Sequence, residues 1–241
     1  MRTPESPIGL PENIDWVTAV DPPTLALRLA RQVADFLNAA ITERGRATLA
    51  VSGGRTPVPF FRALSSMKLD WTKVEITLAD ERWVAPAHPD SNERLVRENL
   101  LVGEAASAHF VGLKSEPSSA TRGQESTERA LAELAWPLDV LVLGMGNDGH
   151  TASLFPDAPE LGDALAVATQ RRCMALHPPS VPQARLSLTR STLCQARHVL
   201  LQLQGKEKKA VLEKALVNPC REDEMPIRAF LRPGLKIYWN P

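Results

Sequence analysis

Neither sign of charge is in excess: 28 Lys and Arg face 28 Asp and Glu over 241 residues. A dedicated nucleic-acid binder usually shows a basic surplus, so no nucleic-acid partner is expected. Cysteine is scarce. Cys173, Cys194 and Cys220 are odd in number and widely spaced, with no C-x-x-C pair. That excludes a disulfide framework and a zinc ribbon, and all three are expected to be reduced and structural. The histidines at 88, 109, 150, 177 and 198 show no i,i+4 or H-x-H spacing, so no metal site is expected. No apolar run approaches the ~20 residues of a membrane-spanning helix. Met1–Asp15 carries four prolines or glycines and no apolar stretch, so no signal peptide is expected. There is no internal repeat. These absences leave a cytoplasmic enzyme or binding protein, expected to be a monomer or a small homo-oligomer.

What is present is ordinary for a globular chain. Hydrophobic residues make up 44%, too many for a disordered state. At roughly 100–200 residues per domain, the length means one large domain or two small ones. Proline alone is over-represented, at 20 residues against a usual ~5%, and most of it falls in candidate loops.

Residues 1–21 read as an extended arm. Leu25, Leu29, Val33, Leu37 and Ile41 then recur every four residues, the apolar stripe of a helix over 23–44 that Gly45 stops. Ala47–Val51 is a short apolar run ending in Ser-Gly-Gly, the form of a strand buried on both faces. Pro57 suits the first turn of the next helix. Further strands are expected at 74–79, 109–113, 138–143, 172–177, 185–189, 199–203 and 235–239. Helices are expected at 92–101, 122–135 and 205–216, with a turn or two at 225–231. Strands alternating with helices imply an α/β fold, a Rossmann-like, mostly parallel sheet with helices on both faces. Ligands of such sheets sit beyond the carboxyl ends of the strands. Ser52–Pro57, Asp80–Trp83 and Gly144–Thr151 each follow a strand, so the three clusters are expected to meet at one sheet edge.

Each cluster has a chemical and a plain reading. In Ser52-Gly53-Gly54-Arg55-Thr56-Pro57, glycines let backbone N–H groups converge and a helix N-terminus adds donors. Hydroxyls and the Arg55 charge then suit a phosphate; the same residues also make an ordinary tight turn with a capping threonine. Gly144, Gly146 and Gly149 match G-x-G-x-x-G, but no acidic residue closes a second strand about 20 residues on, so a dinucleotide is not expected. His150 is placed at the start of a short helix, Thr151–Leu154, whose dipole would keep the imidazole neutral and proton-accepting. Asp148 can hold one ring nitrogen and fix the tautomer; a structural loop histidine is the other reading. Arg82 can grip a phosphate or carboxylate two-pronged and Asp80 can orient a base or a hydroxyl, or the pair is a surface ion pair. Lys206, Lys208 and Lys209 open a helix, where positive charge opposes the dipole. An anionic ligand would explain one of them, and a solvated face is the alternative.

Ala50–Pro57, Ala79–Val84 with Asp90–Asn92, and Gly144–Pro156 together resemble the 6-phosphogluconolactonases of the hexosamine-deaminase-like fold group. Arg185–Thr189 and Gly205–Lys208 are weaker matches in the same order. Related glucosamine-6-phosphate deaminases share the Gly-x-Gly-x-Asp-Gly-His start but continue toward Ile-Ala-Phe-Asn-Glu-Pro, whereas Thr151-Ala152-Ser153-Leu154-Phe155-Pro156 stands here. The resemblance implies a single domain over 1–241. It implies hydrolysis of 6-phospho-D-glucono-1,5-lactone to 6-phosphogluconate in the oxidative pentose phosphate pathway, without metal or cofactor. It implies His150 as general base, with Asp148 and Arg82 in the catalytic group. Ser52, Gly53, Gly54, Arg55, Asp80, Asn92, Arg185 and Lys208 are implied substrate or phosphate contacts. Many relatives carry Lys-Pro-Pro just before the Arg185 strand; Ser180-Val181-Pro182 stands there instead, so His177 or Lys208 is expected to substitute. The alternatives are a deaminase-like isomerase on the same fold and a sugar-phosphate sensor. A sensor needs a DNA-binding module, for which the roughly 20 residues before the first helix leave little room.

Overall fold

The computed structural model describes residues 6–7 and 9–241; residues 1–5 and 8 of the expected arm lie outside the described residues. Within the rest of that arm, Leu10 and Ile14 are buried and Asp15–Thr18 forms an edge strand, β1. Helix α1, Pro22–Arg44, is capped by the Asp21 carboxylate, which accepts from the Thr24 N–H at 2.7 Å, and ends at Gly45 with φ +77°. Its buried residues begin with Leu25, Leu29, Val33 and Leu37, but Ile41 is only half-buried. A strict four-residue series drifts by about 40° per step around a helix of 3.6 residues per turn, and by Ile41 it has turned away from the core. Residues at three-residue offsets, such as Ala26, Ala30 and Ala40, complete the packed face.

The chain continues through β2 (Ala47–Val51), α2 (Val58–Ser65), β3 (Val74–Leu78), β4 (Asp80–Arg82), α3 (Asn92–Asn99), β5 (His109–Val111), α4 (Ala120–Leu131) and β6 (Val140–Leu143). It ends with α5 (Leu161–Leu165), β7 (Cys173–Leu176), β8 (Arg185–Leu188), α6 (Arg190–Cys194), β9 (His198–Gln204), α7 (Lys206–Val217) and β10 (Lys236–Asn240). Seven strands form one sheet in the order β1-β10-β9-β6-β2-β3-β5, and every adjacent pair is parallel. Strands β2 and β6 lie side by side at its centre and are buried throughout, as parallel strands covered on both faces must be. After β2 the chain moves outward to β3 and β5 and returns on the other side as β6. That reversal opens a crevice at the carboxyl ends of β2 and β6, the usual ligand position in such sheets.

Three expectations need correction. Asp80–Arg82 is a strand of its own rather than the tail of β3, and β7 and β8 do not join the main sheet. The three form a second, antiparallel sheet, β4-β8-β7. The expected helix at 151–154 is absent: Thr151 and Leu154 pair instead as an antiparallel bridge closing a tight turn.

Candidate active site

A cavity of about 250 Å³ opens at the crevice between β2 and β6, smaller than the ~300–1,000 Å³ usual for drug-sized ligands. Ser52, Gly53, Gly54 and Thr56 wall it from the turn after β2, and Gly144, Met145, Gly146 and His150 from the turn after β6. Asp80, Arg82 and Asn92 reach it from β4 and α3, and Lys208 from the first turn of α7. Segments up to 156 residues apart in the chain, Ser52 to Lys208, thus line one cavity.

The turn after β2 is held by the Ser52 N–H, which donates to the Val142 carbonyl at 3.0 Å. Gly53 lies against the Asn92 carboxamide so closely that a Cβ there would overlap it. Asn92 in turn donates to the Asp80 carbonyl at 2.8 Å. The Ser52 hydroxyl is buried and has no hydrogen-bond partner among the described residues. No side chain caps α2, so the capping-threonine reading has no counterpart. Pro57 and Pro59 remove two backbone donors from that helix end. Arg55 is exposed and lies outside the cavity wall.

On the opposite wall, the Nδ1 of His150 is 2.6 Å from Asp148 Oδ1, and the His150 backbone N–H donates to the same oxygen at 3.1 Å. Burial opposes ionisation of Asp148, but the hydrogen bonds and the field of His150 outweigh it and hold the carboxyl below the usual carboxylate range. Gly146 lies beside this pair; a Cβ there would overlap the imidazole. The Gly146 N–H donates to the His150 carbonyl at 2.8 Å, so the ring is oriented by turn geometry rather than by a helix end.

Of the predicted cations, Arg82 and Lys208 line the cavity, whereas Arg185 is buried and lies outside its lining. Pairing of β4 with β8 sets Arg82 directly opposite Arg185. Like charges in facing strand positions repel. Burial and the neighbouring Arg82 charge both push the Arg185 guanidinium below its ordinary pKa, against Asp80, Glu81 and Asp90. Lys208 is likewise lowered, chiefly by burial, with Asp148 and Glu207 opposing. Asp80 answers part of this charge; its carboxylate accepts from the Ser153 hydroxyl at 2.6 Å. His177, expected as a substitute cation, instead faces Glu160 with its Nδ1 2.7 Å away and is no part of the wall. Lys206 is exposed, and Lys209 lies over the Trp239 ring at 5.5 Å. Among the described residues no cluster of His, Cys, Asp and Glu is arranged to hold a metal ion, and no helix is long and apolar enough to cross a membrane.

Gln202 was not anticipated. It is buried in β9 and lines the cavity. Its Nε2 donates to the Thr56 carbonyl at 3.3 Å, and its Oε1 has no partner among the described residues. The available signal was one polar residue inside the apolar run Val199–Leu203.

Residues 20–239 match the family described as glucosamine-6-phosphate isomerases/6-phosphogluconolactonase. The chain is 49% identical to a 6-phosphogluconolactonase of Pseudomonas putida, over 98% of this chain and 97% of that one. It is 48% identical to a 6-phosphogluconolactonase of Pseudomonas aeruginosa, over 98% and 99%. A crystal structure of a 6-phosphogluconolactonase from Shewanella baltica superposes with a TM-score of 0.92 at 42% identity, covering 95% of this chain and 99% of that one.

Proposed function

The chain belongs to the glucosamine-6-phosphate isomerase/6-phosphogluconolactonase family and hydrolyses 6-phospho-D-glucono-1,5-lactone to 6-phospho-D-gluconate, and we propose that His150 is the general base of that reaction. One observation carries the proposal. The Asp148–His150 contact at 2.6 Å ties up Nδ1 in the wall of the cavity. A proton on Nδ1, donated to the carboxylate, leaves the lone pair on Nε2. A nitrogen in that state accepts a proton from water.

The phosphate is held at the Ser52–Gly54 turn, with Lys208 supplying positive charge from the cavity wall. Its binding energy orients a ring whose reacting carbon is several bonds away. Water attacks the lactone carbonyl carbon as Nε2 takes its proton. The carbonyl electrons move onto oxygen, and that oxyanion is met by Arg82 or by turn amides. When the oxyanion collapses, the bond from that carbon to the ring oxygen breaks, and His150 returns the proton to the departing oxygen. The product is an open-chain acid that ionises at neutral pH. The Thr151–Pro156 stretch and the lactonase relatives support hydrolysis over the deaminase-like alternative. Three free thiols suit a reducing compartment, and the cytoplasm is the proposed place of action.

His150→Ala is expected to lower kcat by on the order of 10²–10⁴-fold, the usual contribution of a general base. Its affinity for 6-phosphogluconate, measured by calorimetry, should stay close to that of the unaltered protein. Near-normal turnover in this variant would end the assignment.

A further inference from the structure

His150 has a second neighbour that no step above uses. The Phe155 ring stacks on the imidazole, with centroids 4.0 Å apart and planes inclined by 26°. Phe155 is 6% exposed. Its N–H donates to the Ser153 carbonyl at 3.1 Å, and its own carbonyl accepts from Ala158 at 3.1 Å. The turn closed by the Thr151–Leu154 bridge therefore fixes the ring in place. The Arg185 guanidinium carbon lies 5.7 Å from the same ring's centroid.

A hydrogen bond to Asp148 fixes one atom of the imidazole but leaves the ring free to swing about that point. A stacked aromatic face fixes the plane. Together the two constraints aim Nε2 in one direction. We propose that Phe155 is a positioning residue for His150, a platform that fixes the plane of the imidazole while Asp148 fixes its edge. This rests on the reading of His150 as the base.

The test compares Phe155→Leu, which keeps apolar bulk but removes the ring face, with Phe155→Tyr, which keeps that face. Steady-state lactone hydrolysis gives kcat and KM, and calorimetry with 6-phosphogluconate gives Kd and the number of competent sites. Phe155→Leu is expected to lose roughly tenfold or more in kcat, as small misplacements of a catalytic group do. KM and product Kd should stay within about twofold of the unaltered protein at one site per chain, as expected when an interaction is lost only in the transition state. Phe155→Tyr is expected to recover most of the loss. The proposal is overturned if Phe155→Leu keeps full kcat, if it loses product binding in step with kcat, or if Phe155→Tyr does no better than Phe155→Leu. His150→Ala separates the two claims. If that variant stays active, the base assignment fails. If it is inactive while Phe155→Leu turns over normally, only the platform fails.

Discussion

Lys208 shows how one residue's surroundings set its use. Burial lowers its pKa from the ordinary 10.5, because a half-enclosed ammonium loses hydration. An anion bound beside it restores the charged form. With Lys208 in its proposed role as an anion contact, affinity for 6-phosphogluconate is expected to be full while Lys208 is protonated and to decline as pH rises through the lowered pKa, earlier than ordinary lysine would allow. Calorimetric titrations at rising pH should show Kd weakening by roughly tenfold, the worth of one charged hydrogen bond. In Lys208→Arg the decline should vanish, because a guanidinium keeps its proton across that range. The sequence offered three lysines at this helix start and no means of choosing among them. Only one turns toward the cavity, because side-chain direction around a helix depends on which face the sheet covers.

Among the elements, β4 matters more than its length indicates. Glu81 is fully buried between two cavity residues, Asp80 and Arg82. Burial raises its pKa, against four hydrogen bonds that favour the carboxylate. It accepts from the Arg82, Asn92 and Glu93 N–H groups at 2.7–2.8 Å and from the Ser91 hydroxyl at 3.0 Å. The first turn of α3 is thus fastened to β4, and with it Asn92, which reaches the cavity from α3 beside Asp80 and Arg82 of β4. Glu81→Ala strands several buried donors and is expected to cost about 3 kcal/mol. Urea denaturation measures this loss, and KM should rise as Arg82 and Asn92 lose their support. Because a raised acid pKa favours the protonated form in the fold, the Glu81 carboxyl adds most stability at low pH and loses that advantage as pH rises through its folded value. The sequence showed Asp80-Glu81-Arg82 only as the tail of a strand. Its partner β8 is about a hundred residues away, so neither the second sheet nor the facing of Arg82 with Arg185 was visible locally.

At the scale of the molecule, one hydrophobic cluster runs under both sheets, from Leu49 and Leu141 of the large one to Leu186 and Leu176 of the small one. The chain is expected to behave as one domain. Far-UV circular dichroism and the fluorescence of its five tryptophans should report the same urea midpoint, as they do when no intermediate is populated. Separated midpoints would mean that the small sheet melts independently. By itself the sequence determined the parallel α/β order, nearly every strand and the three polar turns, because those follow from short-range apolar patterning and from glycines at strand ends. The tertiary structure alone decided that Arg82 faces Arg185, that Gln202 enters the wall, and that a tight turn at Thr151–Leu154, where a helix was expected, brings Phe155 against His150. Each of these is set by register between separate segments or by the closing of a turn, and such contacts depend on where the whole core places the backbone, not on the residues next along the chain.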